Sequence, residues 1–205
     1  MIPWRLLDTA SVPGGEGSLR LMQRGSEEAL AATACDRIRS RKAARVLIGG
    51  LGMGFTLRAA LASLGPDAGV TVAELVPAVI AWARGPMSDV FGASLADSRV
   101  SLREADVGEL IRSGASAFDA ILLDVDNGPD GLTRKANDAL YGLAGLRAAR
   151  RALRAGGVLA VWSAKPDPKF TLRLRKANFA VEELKVPAGR ARGGKHVIWI
   201  ATREG

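Results

Sequence analysis

Four carboxylates fall where apolar runs end. Glu74 closes VTVAEL, Asp106 closes RVSLREAD, and Asp124 and Asp126 close FDAILLDVD. Carboxylates at the C-terminal ends of parallel strands line the crevice in which open α/β sheets bind ligands, and one in the position of Glu74 can accept hydrogen bonds from both ribose hydroxyls of a nucleoside. Between Ser101 and Gly131 seven acidic residues stand against two arginines, a field suited to a cationic donor, a cationic acceptor, or both. Upstream, ARVLIGGLGMGFTLRAAL runs an apolar segment into Gly49, Gly50, Gly52 and Gly54 and then into a helical pattern. A turn of this kind brings backbone N–H groups close to a ligand. The order is G-x-G-x-G, with Phe55 where a dinucleotide fingerprint needs its third glycine, and no Gly-Lys-Ser/Thr follows the strand, so neither a nicotinamide site nor a Walker loop is expected.

The elements that must position these groups alternate along the chain. Ser26 with Glu27 and Glu28 marks a helix start, read as an N-cap followed by acidic first-turn residues, and the helix is expected to run to about Arg41. Strand patterns at ARVLIGG, VTVAEL, RVSLREAD, FDAILLDVD and GVLAVWSA are separated by helical patterns, which predicts a parallel sheet covered by helices. The helical patterns are FTLRAALASLG, Pro77 through Arg84, VGELIRSG and ANDALYGLAGLRAARRALRAGG, and FTLRLRKAN follows the last of the strands. AVEELKV and KHVIWIA, joined by the basic PAGRARGG, predict an antiparallel hairpin at one edge. The expected fold is therefore α/β, a Rossmann-like seven-stranded, mostly parallel sheet with a C-terminal antiparallel hairpin. A short extension over 1–25 precedes a single domain over 26–205.

VLIGGLGMG, VTVAELVPAVIAWAR, READVGELI, FDAILLD and ALRAGGVLAVWSA, in this order, resemble the class I S-adenosylmethionine-dependent methyltransferase superfamily, and within it the spermidine synthase-like branch of polyamine aminopropyltransferases. The resemblance spans roughly residues 40–165. It implies that Gly50, Gly52 and Gly54 pack against the donor, that Glu74 holds the ribose with Leu75 beside it, and that Asp106 faces the adenine amino group with Val107 beside it. Asp124 lies next to the reacting sulfonium, and Asp124 and Asp126 form the catalytic pair. In aminopropyltransferases the aspartate in the place of Asp124 helps deprotonate the attacking amine, a step an ammonium requires because it has no lone pair. A carboxylate close to an ammonium also raises the amine's pKa, so Asp124 has to act as base and orienter together. The chain departs from the aminopropyltransferase pattern where Met53 replaces an acidic loop residue that engages the donor's amine. It departs again where SEEALAATA replaces a Tyr-His-Glu element, and a third time in a much shortened N-terminal segment. Intact S-adenosylmethionine fits beside Met53 more readily than its decarboxylated form.

The other residues have plainer readings. Asp119 is expected at a turn or the surface, Cys35, Trp82, Trp162 and Trp199 in packing, and Trp4 and Tyr141 are candidates to close over a pocket. Asn127–Gly131 is either a turn or an acceptor lid. His196, the only histidine, falls in an expected edge strand with no nucleophile in view, which excludes a triad hydrolase. The strand after Asp124 and Asp126 ends in Trp162-Ser163-Ala164-Lys165 without the Asp-Asn pair of a catechol-type metal site, so no metal is expected. The Asn/Asp-Pro-Pro-aromatic signature of amino-directed nucleic-acid methyltransferases is missing after the fourth strand.

Composition bounds these expectations. The 205 residues are 48% hydrophobic and 24% charged, the balance of a folded globular domain rather than a disordered, collagen-like or disulfide-rich chain. The net charge is +8, and from Ala164 onward ten basic residues face four acidic ones. Such local basicity suits either a solvated face or an anionic partner. One cysteine, no signal-peptide pattern and no apolar run near the roughly 20 residues that span a bilayer give a cytoplasmic, membrane-free expectation. The sequence thus points to methyl transfer from S-adenosylmethionine to a small amine-bearing acceptor. Aminopropyl transfer from the decarboxylated donor is the alternative, and a non-catalytic nucleoside- or nucleic-acid-binding protein a further one. A homodimer follows by resemblance only, and nucleic acid is the less favoured partner.

Overall fold

The computed structural model describes residues 25–124, 139–187 and 195–205. Residues 1–24 of the expected extension, with Trp4, lie outside that range, as do Asp126, the Asn127–Gly131 loop and 188–194.

Seven strands form one sheet: β1 (Arg45–Gly49), β2 (Gly69–Glu74), β3 (Val100–Glu104), β4 (Phe118–Leu123), β5 (Leu153–Ser163), β6 (Ala180–Pro187) and β7 (Lys195–Thr202). Their order is β3-β2-β1-β4-β5-β7-β6. The first five run parallel, and β7 is antiparallel to both β5 and β6. The expected architecture is therefore present, with one change: β7 is not an edge strand but sits between β5 and β6, and β6 forms the edge. Burial explains the exchange, since β7 carries the continuous apolar run Val197–Ala201, which an interior position covers on both faces, whereas β6 reads half-exposed along its length.

The helices are α1 (Ser26–Arg37), α2 (Phe55–Ser63), α3 (Pro77–Arg84), α4 (Ser88–Phe91), α5 (Val107–Ser113), α6 (Leu143–Ala152) and α7 (Pro168–Lys176), with a 3-10 turn at Gly92–Ala96. Alternation along the strands divides the core into two layers. Val46, Ile48, Val70, Val72, Ala120 and Leu122 face α1 and α2, among Leu30, Ile38 and Leu57. Leu47, Ala73, Ile121 and Leu123 face α5, α6 and α7, among Ile111, Leu146, Phe170 and Leu174. The next residues of the first parity are Glu74 and Asp124, so the pleat sends both carboxylates toward the α1–α2 side of the sheet's C-terminal edge. Between β1 and β4 the strand order reverses, which is where open α/β sheets leave their ligand crevice.

Several expectations need correction. Gly25, not Ser26, is the N-cap of α1, and Ser26 and Glu27 are buried in its first turn. The helix stops at Arg37 rather than Arg41, because Ile38 leaves helical geometry and its N–H turns back to Cys35. Asp119 is no surface residue. It is 1% exposed and ion-paired to Arg41 at 2.7 Å and Arg154 at 3.0 Å, and it accepts the Arg45 N–H at 2.7 Å. Two guanidiniums and a backbone donor make that burial tolerable. Tyr141 is packed edge-on against Phe170 at 5.7 Å, inside the core rather than over a pocket. Cys35, Trp162 and Trp199 are core residues as expected, and burial pushes the Cys35 thiol up to about 12.

Candidate functional site

The loop after β1 is organised around Glu74. The Leu51 N–H donates to one carboxylate oxygen at 2.9 Å and the Val76 N–H to the other at 2.8 Å, while the Gly50 N–H bonds the Ala73 carbonyl at 2.8 Å. Two backbone donors thus clamp a carboxylate that is 8% exposed, and each oxygen keeps a lone pair for a further donor. Leu75, 46% exposed, stands beside it as an apolar step at the strand end. Within the loop the glycines differ in role. A Cβ on Gly52, at φ +47°, would meet nothing within 4 Å, so this position presents bare backbone to open space. Gly54, at φ +73°, caps α2 in the left-handed region, and a Cβ there would lie 2.6 Å from the Phe91 ring. Met53 is buried.

Asp106 caps α5, its Oδ1 accepting the Gly108 N–H at 2.7 Å, while Oδ2 lies 4.0 Å from Arg112. Helix capping thus occupies one oxygen and leaves the second at the partly exposed rim. Val107 is buried, and its methyls would lie 3.0 and 3.2 Å from a Cβ at Gly49, so it packs beneath the loop.

Asp124 follows β4 directly. Its N–H continues the ladder to the Gly49 carbonyl at 3.1 Å, and its Oδ2 accepts the Thr56 hydroxyl at 2.6 Å. Burial pushes its carboxyl up to about 6, the Thr56 bond works in the opposite direction, and the negative charge of Glu27 adds to the rise. A carboxyl with that pKa is ionised at neutral pH yet basic enough to take a proton.

Thr56 and Glu27 were not among the expected site residues. Glu27 had a signal: with Leu30, Ala31 and Ala34 it occupies the i, i+3, i+4, i+7 stripe of α1, the face that packs on the sheet. Thr56 had none beyond its place in the first turn after the glycine loop. On the far side of Glu27, Ser26 Oγ donates to Glu27 Oε2 at 3.0 Å, and His196 Nδ1 lies 3.0 Å from Ser26 Oγ. The histidine does have a serine neighbour, but the order is wrong for a triad, in which imidazole stands between acid and hydroxyl. Burial lowers the His196 pKa, and Glu27 opposes that shift.

Among the described residues, no group of three or more His, Cys, Asp or Glu is placed to hold a metal ion. No described helix is long and apolar enough to cross a membrane.

No protein-family model matches the chain, and no curated protein sequence matches it. Solved structures do. A spermidine synthase from Thermotoga maritima superposes with a TM-score of 0.70 at 23% identity, over 86% of this chain and 59% of its own. A probable spermidine synthase from Corynebacterium glutamicum gives 0.65 at 16%, over 86% and 63%. The Burkholderia thailandensis 1,6-didemethyltoxoflavin-N1-methyltransferase, solved with bound 1,6-didemethyltoxoflavin and S-adenosylhomocysteine, gives 0.58 at 23%, over 87% and 80%. The chain has the Rossmann-like fold shared by spermidine synthases and class I methyltransferases, and it spans about three fifths of the length of these two synthases.

Proposed function

We propose that the protein is an S-adenosylmethionine-dependent transferase that methylates a small amine-bearing acceptor. The observation that carries this reading is the pairing of a clamped strand-end carboxylate, Glu74, with a second carboxylate, Asp124, on the same face of the sheet two strands away. The cradle fits a nucleoside donor. Glu74 keeps acceptor capacity for two vicinal hydroxyls, Leu75 offers an exposed apolar surface to a flat base, Asp106 has one oxygen outside its helix cap, and Gly52 opens the loop backbone. When bound, the donor supplies an electrophilic methyl group on a sulfonium. In the proposed step Asp124 takes one proton from an ammonium nitrogen of the acceptor, freeing the lone pair that would receive the methyl group as the donor's carbon–sulfur bond breaks with its electrons kept by sulfur. Thr56 orients Asp124 by holding one oxygen, which directs the other toward the acceptor.

Aminopropyl transfer from the decarboxylated donor is the second reading, favoured by the superposition on spermidine synthases. Met53 weighs against it, because a buried thioether offers the donor's amine no counter-charge. A single domain over 26–205 and a homodimer belong to the same proposal. The direct test incubates the protein with methyl-labelled S-adenosylmethionine and a panel of mono-, di- and polyamines. Label transfer that is lost in Asp124→Ala, with donor binding retained, supports methyl transfer. Turnover only with the decarboxylated donor replaces it by the second reading.

A further inference from the structure

The carboxylates of the crevice follow strand ends, and the opposite edge of the sheet, where the parallel strands begin, is rich in cations. Across neighbouring strands it presents Arg45 at the start of β1, Asp119 in β4, Arg154 in β5 and Arg203 after β7. Four arginines here are fixed by bonds already in place. Arg41 and Arg154 share the buried Asp119, and Arg41 Nη2 also donates to the Ala155 carbonyl at 2.5 Å. Gly156 leaves room for that guanidinium, since a Cβ there would lie 2.9 Å from it. Arg203 Nη1 caps the end of α6 on the Arg150 carbonyl at 3.1 Å and on the Leu153 carbonyl, and Arg150 Nε donates to the Asn178 carbonyl at 3.0 Å. Carbonyls carry no net charge, so Arg150 and Arg203 stay uncompensated. Around this frame Arg45, Arg151, Arg175 and Lys176 are exposed and form no ion pair among the described residues. Arg147 and Arg151 add a like-charge pair one turn apart on the exposed side of α6. Of the carboxylates at this edge, Asp119 is buried, and Asp36, Asp97 and Glu182 are matched by Arg39, Arg99 and Arg37. Asp67 and Glu204 remain, too few to neutralise the row.

We propose that this edge is a docking surface for the phosphate backbone of a nucleic-acid duplex, separate from the crevice. What the edge offers and what it lacks both select that partner. Guanidiniums match phosphate oxygens two at a time and are more weakly hydrated than ammoniums. Among the described residues the exposed large hydrophobic side chains are Leu75, beside the crevice, and Leu172, one turn before Lys176 in α7. The edge therefore has neither the apolar or aromatic centre of a protein interface nor the apolar face that anchors a helix in a membrane surface. It also exposes no ring on which a splayed base could stack, which favours a duplex over a single strand. Four adjacent strands at about 4.8 Å span roughly 15 Å, and duplex phosphates are spaced closely enough for such a row to meet several at once. β1 and β4 are 5 and 6 residues long, so the row lies roughly 15–20 Å from Glu74 and Asp124. That exceeds the Debye length of about 8 Å at physiological salt. The duplex is an anchor here and not the acceptor, and the carboxylates of the crevice repel it.

The test follows the full chain binding a fluorescein-labelled duplex of about 20 base pairs by anisotropy, over a series of salt concentrations. It requires neither donor nor turnover, so it stands or falls apart from the transferase reading. A single strand of the same length, polyglutamate of equal charge and phosphatidylserine vesicles are titrated in parallel. Two variants change the net charge equally: Arg45→Glu with Arg151→Glu and Lys176→Glu at the edge, and Lys165→Glu with Lys169→Glu and Lys185→Glu away from it. The edge variant is expected to bind the duplex about 30-fold more weakly or worse, and its salt slope should fall by about 2–3, since each phosphate contact contributes about 0.9. The lysine variant should lose less than about threefold. Where the edge variant does not fold, glutamine at the same three positions serves instead, with an expected loss of about tenfold. Equal losses in the two variants would overturn the proposal, because binding would then follow net charge and not the edge. So would tighter binding of the single strand, polyglutamate or vesicles, or no duplex binding by wild type at about 50 mM salt.

Discussion

Thr56 Oγ1 and Asp124 Oδ2 lie 2.6 Å apart, tying the first turn of α2 to the end of β4. The bond crosses 68 residues of sequence and joins the element that follows the glycine loop to the carboxylate proposed as base. It also opposes burial, which on its own would push the Asp124 carboxyl higher still.

Removing that donor has a readable effect. Thr56→Val keeps the shape and deletes the hydroxyl, so the ionised form of Asp124 loses a hydrogen bond worth about 1.5–3 kcal/mol for a charged acceptor. The pH at which turnover reaches half its plateau should rise by about one to two units. An unchanged pH profile would separate Thr56 from the chemistry.

The raised Asp124 pKa also has a stability consequence. A carboxyl at about 6 in the folded protein and 3.8 unfolded binds its proton more tightly when folded. Stability from this group is therefore present below about pH 4 and lost as pH rises through 6. By linkage the ionised residue costs on the order of 3 kcal/mol at neutral pH. Asp124→Asn should consequently be more stable than wild type at pH 7–8 by about 1–3 kcal/mol, with the gap narrowing toward pH 4. Chemical denaturation at the two pH values checks this, and a variant less stable at neutral pH contradicts it.

Glu74 is expected to act on donor affinity. Glu74→Gln leaves one of the two backbone clamps without an acceptor and removes the charge, so S-adenosylmethionine should bind about 10- to 100-fold more weakly. The loop should loosen around Leu51, visible as faster amide exchange there. Equal affinity for the two proteins would remove Glu74 from the ribose role.

Asp119 tests the fold apart from any function. Asp119→Ala deletes the partner of Arg41 and Arg154 and strands the Arg45 N–H. Both guanidiniums reach solvent in part, so the loss is expected near 2 kcal/mol, below the 3–5 kcal/mol of a fully buried pair. A change under about 0.5 kcal/mol in urea denaturation would show that the pair contributes no net stability.

How far the sequence reaches is visible in particular residues. The five parallel strands were legible because each is a short segment of apolar or alternating residues set between helical patterns, and Glu74 and Asp124 because they end such segments. The interior place of β7 was not, since pairing order depends on which strand has two apolar faces to cover. Asp119 was misread because its partners, Arg41 and Arg154, are remote in sequence. Glu27 was hidden by a local rule that holds on average: an acidic residue in a first turn favours the helix dipole whether it faces water or the core. Only the packing of α1 against the sheet distinguishes the two.

The most direct test of the central claim is calorimetric titration of the protein with S-adenosylmethionine and, in parallel, with its decarboxylated form. The intact donor is expected to bind more tightly, because buried Met53 offers an amine no counter-charge. Preference for the decarboxylated donor, or binding of neither, would contradict it.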